Sequence, residues 1–136
     1  MGSTKIAPPL AGQVLAAGSR SFVMAEWRDG GGPAGQRRLI APLHLHRSDD
    51  EAWYVLEGAL CVQMDDDVVE ARAGAAVFVS RGTPHTYWNP AEQPVRYLLV
   101  MTANIYQMIQ AIHATSDRSA ETMRAIFRRH DSELLG

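Results

Sequence analysis

The chain has 136 residues, a length that suits one domain. Apolar residues make up 46% and charged residues 21%, values ordinary for a globular protein and too apolar for a disordered one. With 13 basic against 15 acidic residues the formal net charge is −2, and no stretch gathers the Lys and Arg, so nucleic acid is not expected as a partner.

The opening residues, MGSTKIAPPLAG, hold one lysine but lack the apolar run of a secretory signal, and Ile6 stands where a myristoylation pattern wants Ser or Thr. No apolar run approaches the ~20 residues that span a bilayer. No membrane association is therefore expected, and a cytoplasmic location is. Residues 14–27 read as short extended pieces with Phe22, Met24 and Glu26 on one face. The glycines and proline of Asp29–Gly35 then interrupt regular structure, and the Gly30–Gly35 loop is either a surface connector or a cover for a pocket mouth.

Arg38 to His46 and Ala52 to Glu57 read as strands. Leu60, Val62 and Met64 alternate with Ala59, Cys61 and Gln63, Asp65–Asp67 form a turn, and Val68 to Arg72 returns as the second arm of a hairpin. Ala75 to Val79, Thr86 to Trp88 and Val95 to Thr102 are three further strands, with Tyr97, Leu99 and Met101 sharing a face. Cys61 is the one cysteine, which excludes an internal disulfide, and its place in an alternating run makes it a packing residue. Many short strands between turn residues predict an antiparallel sandwich or barrel. The tail then changes period. Ile105, Met108, Ile109 and Ile112 form one helical face, and Met123, Ile126, Phe127 and His130 another, with Asp117 or Ser119 as the cap of the second helix. Arg128 and Arg129 suit that helix's C-terminus.

Chemistry concentrates in Pro42-Leu-His44-Leu-His46 and the Glu51 that follows a short turn. On a strand, His44 and His46 project from the same face. Two adjacent imidazoles fill a core poorly, because each needs a partner and protonating both is costly. A shared metal resolves this, with Glu51 returning to the same point and His85 entering from another strand after the Gly82-Thr83-Pro84 turn. Three nitrogens and one oxygen suit Fe, Mn, Co, Ni, Cu or Zn rather than Ca. Spacing alone leaves open a plainer alternative, in which two surface histidines, a solvated glutamate and a turn histidine are unrelated.

The same residues resemble the two motifs of the cupin superfamily. Gly35, His44, His46, Glu51 and Gly58 follow the order of its first motif, with the leading glycine further from the histidines than is usual. Gly74, Gly82, His85 and Asn89 follow its second, with Ser80 where proline is frequent. The likeness covers residues 35–89 and, through the strand pattern, extends to 102. It is the likeness to small single-domain metal-binding cupins. It implies an all-β, antiparallel double-stranded β-helix, a jelly-roll or cupin barrel, over residues 1–102. Residues 103–136 would then form a helical extension packed on the barrel or on a dimer partner. It further implies one divalent transition metal held by His44, His46, Glu51 and His85, and a homodimer. Gly58 and Gly82 would serve tight turns, and Asn89 would hold a strand end.

By alternation Trp53, Val55, Leu60, Val62, Met64 and Tyr87 should wall a substrate pocket for a small organic molecule, with Trp27 and Trp88 packing on outer faces or at an interface. Asp49 and Asp50 lie beside the site as turn or mouth residues. The activity expected first is dioxygenase-like, on an aromatic or enol-type substrate, because no spare carboxylate or histidine is placed to act as a general base. A metal-assisted isomerase or cyclase and a non-catalytic small-molecule binding protein are the alternatives.

Overall fold

A computed structural model describes residues 14–136. The N-terminal segment, expected to carry no signal or lipid anchor, lies outside the described residues. In chain order the elements are β1 (Val14–Leu15), β2 (Phe22–Asp29), β3 (Leu39–His46), β4 (Glu51–Glu57), β5 (Ala59–Met64), β6 (Asp67–Arg72), β7 (Ala76–Val79), β8 (His85–Trp88), β9 (Val95–Thr102), α1 (Ala103–Ala114), α2 (Ala120–Arg129) and β10 (Ser132–Leu134).

The strands form two five-stranded sheets, in the orders β1-β2-β9-β4-β7 and β10-β3-β8-β5-β6, with every neighbouring pair antiparallel. Their inner faces share one core. Val23, Ala25, Trp53, Val55, Tyr97 and Leu99 come from the first sheet, and Leu60, Val62, Ala71 and Tyr87 from the second. Phe22, Met24 and Glu26 do share a face of β2, and it is the outer one, with Phe22 exposed and Val23 and Ala25 turned to the core.

The expected closed barrel does not form. Neither sheet closes on itself, and the fold is a pair of open sheets with two C-terminal helices. Closure needs a hydrogen-bond ladder that continues from edge to edge. Here two of the edge strands are only two and three residues long, and β6 pairs with β5 alone. Alternating inward and outward residues serve a sandwich as well as a barrel, so the alternation in the sequence could not decide between them.

Turn chemistry sets the register around the site. Gly58 stands at φ +80° between β4 and β5, where a Cβ would meet the Pro94 carbonyl oxygen at 2.6 Å, so only glycine fits. Gly82 has the same left-handed backbone, and its N–H donates to the His46 carbonyl at 2.6 Å, which ties the turn before β8 to the end of β3. Asn89 holds the end of β8 by donating to the Gln93 carbonyl and accepting the Ala91 N–H. Trp88 packs on the outer face under the Arg37 guanidinium, 4.0 Å from its ring centroid. Cys61 is buried within β5. On the outer face of the first sheet, Arg96 pairs with Glu26 at 2.6 Å and Glu57 at 3.1 Å.

In the tail, Thr102 caps α1 and Ser119 caps α2, each accepting a backbone N–H of the first turn. Met108, Ile126 and Phe127 make a second small core with Ile112, Met123 and Leu134. After α2 the chain returns as β10 and adds to the edge of β3, with Ser132 opposite His46 and Leu134 opposite His44. No described helix is long and apolar enough to cross a membrane.

Candidate metal centre

His44, His46, Glu51 and His85 converge as expected from the sequence. All four are buried, and one donor atom from each lies within 4.8 Å of the others. Local structure explains the aim. β3 departs from regular pairing with β8 on either side of Ala41, so Pro42 sits at a bulge where its missing N–H costs no ladder bond. Beyond the bulge His44 stands directly opposite His85. Glu51 opens β4 opposite Met101 and Val79, facing the same end of the core.

The side chains fit a metal. Each histidine uses its Nδ1 elsewhere: His44 on the Pro42 carbonyl at 2.5 Å, His85 on the Thr83 carbonyl at 2.9 Å, and His46 on Ser132 Oγ at 2.7 Å. A carbonyl accepts only, so His44 and His85 carry their proton on Nδ1. Ser132 gives its own proton to the His130 carbonyl at 3.1 Å, so its oxygen accepts from His46. All three Nε2 lone pairs are thereby left for the centre. His46 Nε2 is buried without a hydrogen-bond partner and lies 3.5 Å from Glu51 Oε1, and His85 Nε2 lies 3.1 Å from the same oxygen. A donor set of three imidazoles and a carboxylate is that of one divalent transition ion. Together these residues form a single divalent-metal site.

Sequence reasoning did not find the supports of this site. Ser132 is fully buried, and its partner carbonyl at His130 also accepts from Asn104, whose amide reaches Asp49 at 2.8 Å. Asp49 thus braces α1 and the tail against the β3–β4 turn, and Asp50 pairs with Arg81. Phe127 of α2 packs against the His44 ring at 5.5 Å. Groups that orient a ligand imidazole are worth 10–100-fold in affinity. Ser132→Ala is therefore expected to weaken metal binding by about 10–100-fold, measured by competition with a chromophoric chelator. An unchanged affinity would show that Ser132 does not orient His46.

Burial, with His85 and His46 beside it, brings the His44 pKa down from 6.5 to about 3. Burial pushes Glu51 up, but the neighbouring His46 and His85 outweigh that and hold it at about 2, below the usual 4.5. Between pH 6.5 and 3 the unfolded chain therefore binds a proton at His44 that the folded chain refuses. The contribution of Glu51 is present above 4.5 and lost as the pH falls toward 2. The chelated protein should lose stability progressively as the pH is lowered from 6.5 to 3. In the loaded protein, proton competition at His44 should begin to release the metal only as the pH approaches 3, since a ligand must be protonated to let go. A thermal midpoint that stays level from pH 7 to pH 4 would contradict the burial of a neutral His44.

The centre opens into a cavity of about 600 Å³. His44, His46 and Glu51 line it, as do the Tyr87 and Tyr97 phenols. Its remaining walls include Ile40 and Leu99 from the sheets, Ile105 and Met108 from α1, and Phe127 from α2. Of the side chains expected to wall a pocket, Tyr87 lines this cavity. Trp53, Val55, Leu60 and Val62 lie within the core, and Met64 packs against it half-buried. Trp27, expected on an outer face or at an interface, is corrected: it continues the inward series of Val23 and Ala25 and lines the cavity. His113 of α1 also lines it, outside the metal cluster. None of residues 30–35 does. The two phenol oxygens are 3.2 Å apart. Burial raises both phenols, Tyr97 to about 12 and Tyr87 well above its ordinary value, so both stay protonated.

Two facing antiparallel sheets with a buried three-histidine, one-glutamate cluster define a metal-binding β protein with a candidate active site. Residues 36–101 match the family described as the Cupin domain, and the chain belongs to the cupin superfamily. An uncharacterized protein of Methanocaldococcus jannaschii is 30% identical over 66 residues, 48% of this chain and 50% of that one. This chain thus matches only half the length of that relative. Among solved structures, a sugar phosphate isomerase of Silicibacter pomeroyi is 26% identical with a TM-score of 0.54, over 64% of this chain and 54% of that one. The polyketide cyclase RemF of Streptomyces resistomycificus is 28% identical with a TM-score of 0.51, over 63% and 57%.

Proposed function

We propose that this protein is a metal-dependent isomerase or cyclase that acts without redox change on a small organic substrate bearing a carbonyl or enol oxygen. One observation supports this reading most: the metal cluster opens into an apolar cavity that also holds two protonated phenols and a separate histidine. A bound divalent metal would supply Lewis-acid polarisation of the substrate oxygen. The apolar side chains of α1 and β9 would exclude water and hold the carbon skeleton. Tyr87 and Tyr97 would donate hydrogen bonds where negative charge develops on the substrate.

His113, an exposed side chain of the last turn of α1 that lines the cavity, would supply what the sequence reading lacked, a proton acceptor that is not a metal ligand. That absence was the reason for expecting oxygen chemistry first, and the histidine in the cavity removes it. The likeness to an isomerase and a cyclase supports the same reading, and a cavity lined by Arg28 and Arg118 as well as by apolar side chains admits a polyketide-like or a phosphate-bearing skeleton.

The test uses the zinc-loaded protein with benzoylacetone, a 1,3-diketone, under nitrogen in D2O. Exchange of the α-proton, followed by NMR, should be faster than in the chelated protein. It should fall by about 100-fold or more in His113→Gln, the range of a general base, with zinc content unchanged. Dioxygen uptake by the iron-loaded protein, without anaerobic exchange by the zinc form, would instead establish the oxygenase.

A further inference from the structure

The buried donors around Tyr87 outnumber the acceptors available to them. Tyr87 and Tyr97 are 5% and 1% exposed, and both line the cavity. Each phenol carries one O–H, and their mutual hydrogen bond at 3.2 Å consumes one of the two. No other hydrogen bond of either hydroxyl occurs among the described residues. Next to them the Trp53 indole packs edge-on against the Tyr87 ring at 5.2 Å, and its Nε1–H, a donor only, is buried without a partner. Leu99 in the cavity wall, Val55 opposite Tyr97 and Val62 opposite Tyr87 are apolar and offer no side-chain acceptor. Natural cores leave few buried donors unpaired, and two in one aromatic cluster call for an explanation.

We infer that the Tyr87–Tyr97 pair, backed by Trp53, is a subsite for a second oxygen of the substrate, separate from the oxygen that meets the metal centre. This rests on the reading proposed above. With the two phenols bonded to each other, the O–H that remains selects an acceptor, such as a ketone, enolate or phenolate oxygen, over an alkyl group. The substrate class is thereby narrowed to compounds with at least two oxygen functions on one apolar skeleton. One oxygen is placed at His44, His46, Glu51 and His85, and the other at the phenols. A molecule with the metal-binding function alone leaves the donors unpaired and binds less tightly.

Benzoylacetone provides the parent probe, and its ring-acetylated analogues at the 3- and 4-positions add one acceptor to the same skeleton. Binding of all three to the zinc-loaded protein is measured by calorimetry in the wild type and in Tyr97→Phe, Tyr87→Phe and Trp53→Phe, with zinc content checked for each. At least one acetylated analogue should bind the wild type about five- to tenfold more tightly than the parent, the ratio expected for one added hydrogen bond. The ratio of analogue to parent affinity should fall to about one in Tyr97→Phe or Tyr87→Phe, whatever change the parent's own affinity shows. A merely structural role for the phenols would shift both affinities together and leave their ratio intact. Equal affinities in the wild type, or an advantage that survives all three substitutions, would overturn the subsite. Failure of the parent itself to bind the zinc-loaded wild type would overturn the carbonyl reading of the metal centre, and the subsite with it.

Discussion

Replacing His44 by alanine is expected to leave the purified protein without stoichiometric metal, where the wild type holds one divalent transition ion per chain. The reasoning starts from the donor set. His44 is one of four buried ligands, and its Nε2 is free only because Pro42 at the β3 bulge takes the Nδ1 proton. Burial keeps the ring neutral far below neutral pH, so at pH 7 no proton competes with the metal. Removing a group that merely orients a ligand costs 10–100-fold, so removing the ligand itself should cost more than about 100-fold. Elemental analysis of protein purified without chelator or histidine tag measures the outcome. The variant should also lose the metal-dependent part of its stability. At a free metal concentration about 1,000 times the dissociation constant, that part is about 4 kcal/mol. A variant that keeps one ion per chain at unchanged affinity would remove His44 from the ligand set.

Two-residue alternation made His44 and His46 legible as neighbours on one strand face, and the likeness to the two cupin motifs joined Glu51 and His85 to them. His44 and His46 had to share a face, and Trp53 and Val55 had to follow Glu51 inward. The same alternation identified the Tyr97, Leu99 and Met101 face of β9, which proves to be buried. Alternation is silent about which strands become neighbours. The expected barrel failed on that point, since closure depends on pairing between distant edges and on the lengths of strands such as β1 and β10. β10 itself was invisible. Ser132–Leu134 is three residues long and owes its extended form to pairing with β3, nearly ninety positions earlier, as Ser132 opposite His46 shows. The role of Ser132 followed β10 out of sight. His113 and Trp27 were missed for a related reason: their cavity is enclosed jointly by sheets and helices, and no local pattern records how α1 lies over β9. A signal for Trp27 did exist, in its even-numbered steps from Val23 and Ala25.

Trp53→Ala should destabilise the metal-free protein by about 3–5 kcal/mol, the range for a large aromatic removed from a packed core. Trp53 is 1% exposed and is the largest of the fully buried side chains. Its ring meets Tyr87 at 5.2 Å and His85 at 5.9 Å, both edge-on, so an alanine there leaves a cavity lined by groups that are themselves held in place. Against a total stability of about 5–15 kcal/mol for an ordinary domain, the loss is a large fraction. Denaturant unfolding in the presence of chelator separates this loss from any change in metal affinity. The comparison with Trp53→Phe gives the prediction its sharper edge. Phenylalanine keeps most of the packing and removes an N–H that has no acceptor, so the cost of burying that unpaired donor disappears together with the indole. Trp53→Phe should therefore cost about 1.5 kcal/mol or less, within the range of core swaps that nearly conserve volume. If the two substitutions cost the same, the indole N–H must be making an interaction that stabilises the protein. The donor excess beside Tyr87 would then be smaller than the structure indicates.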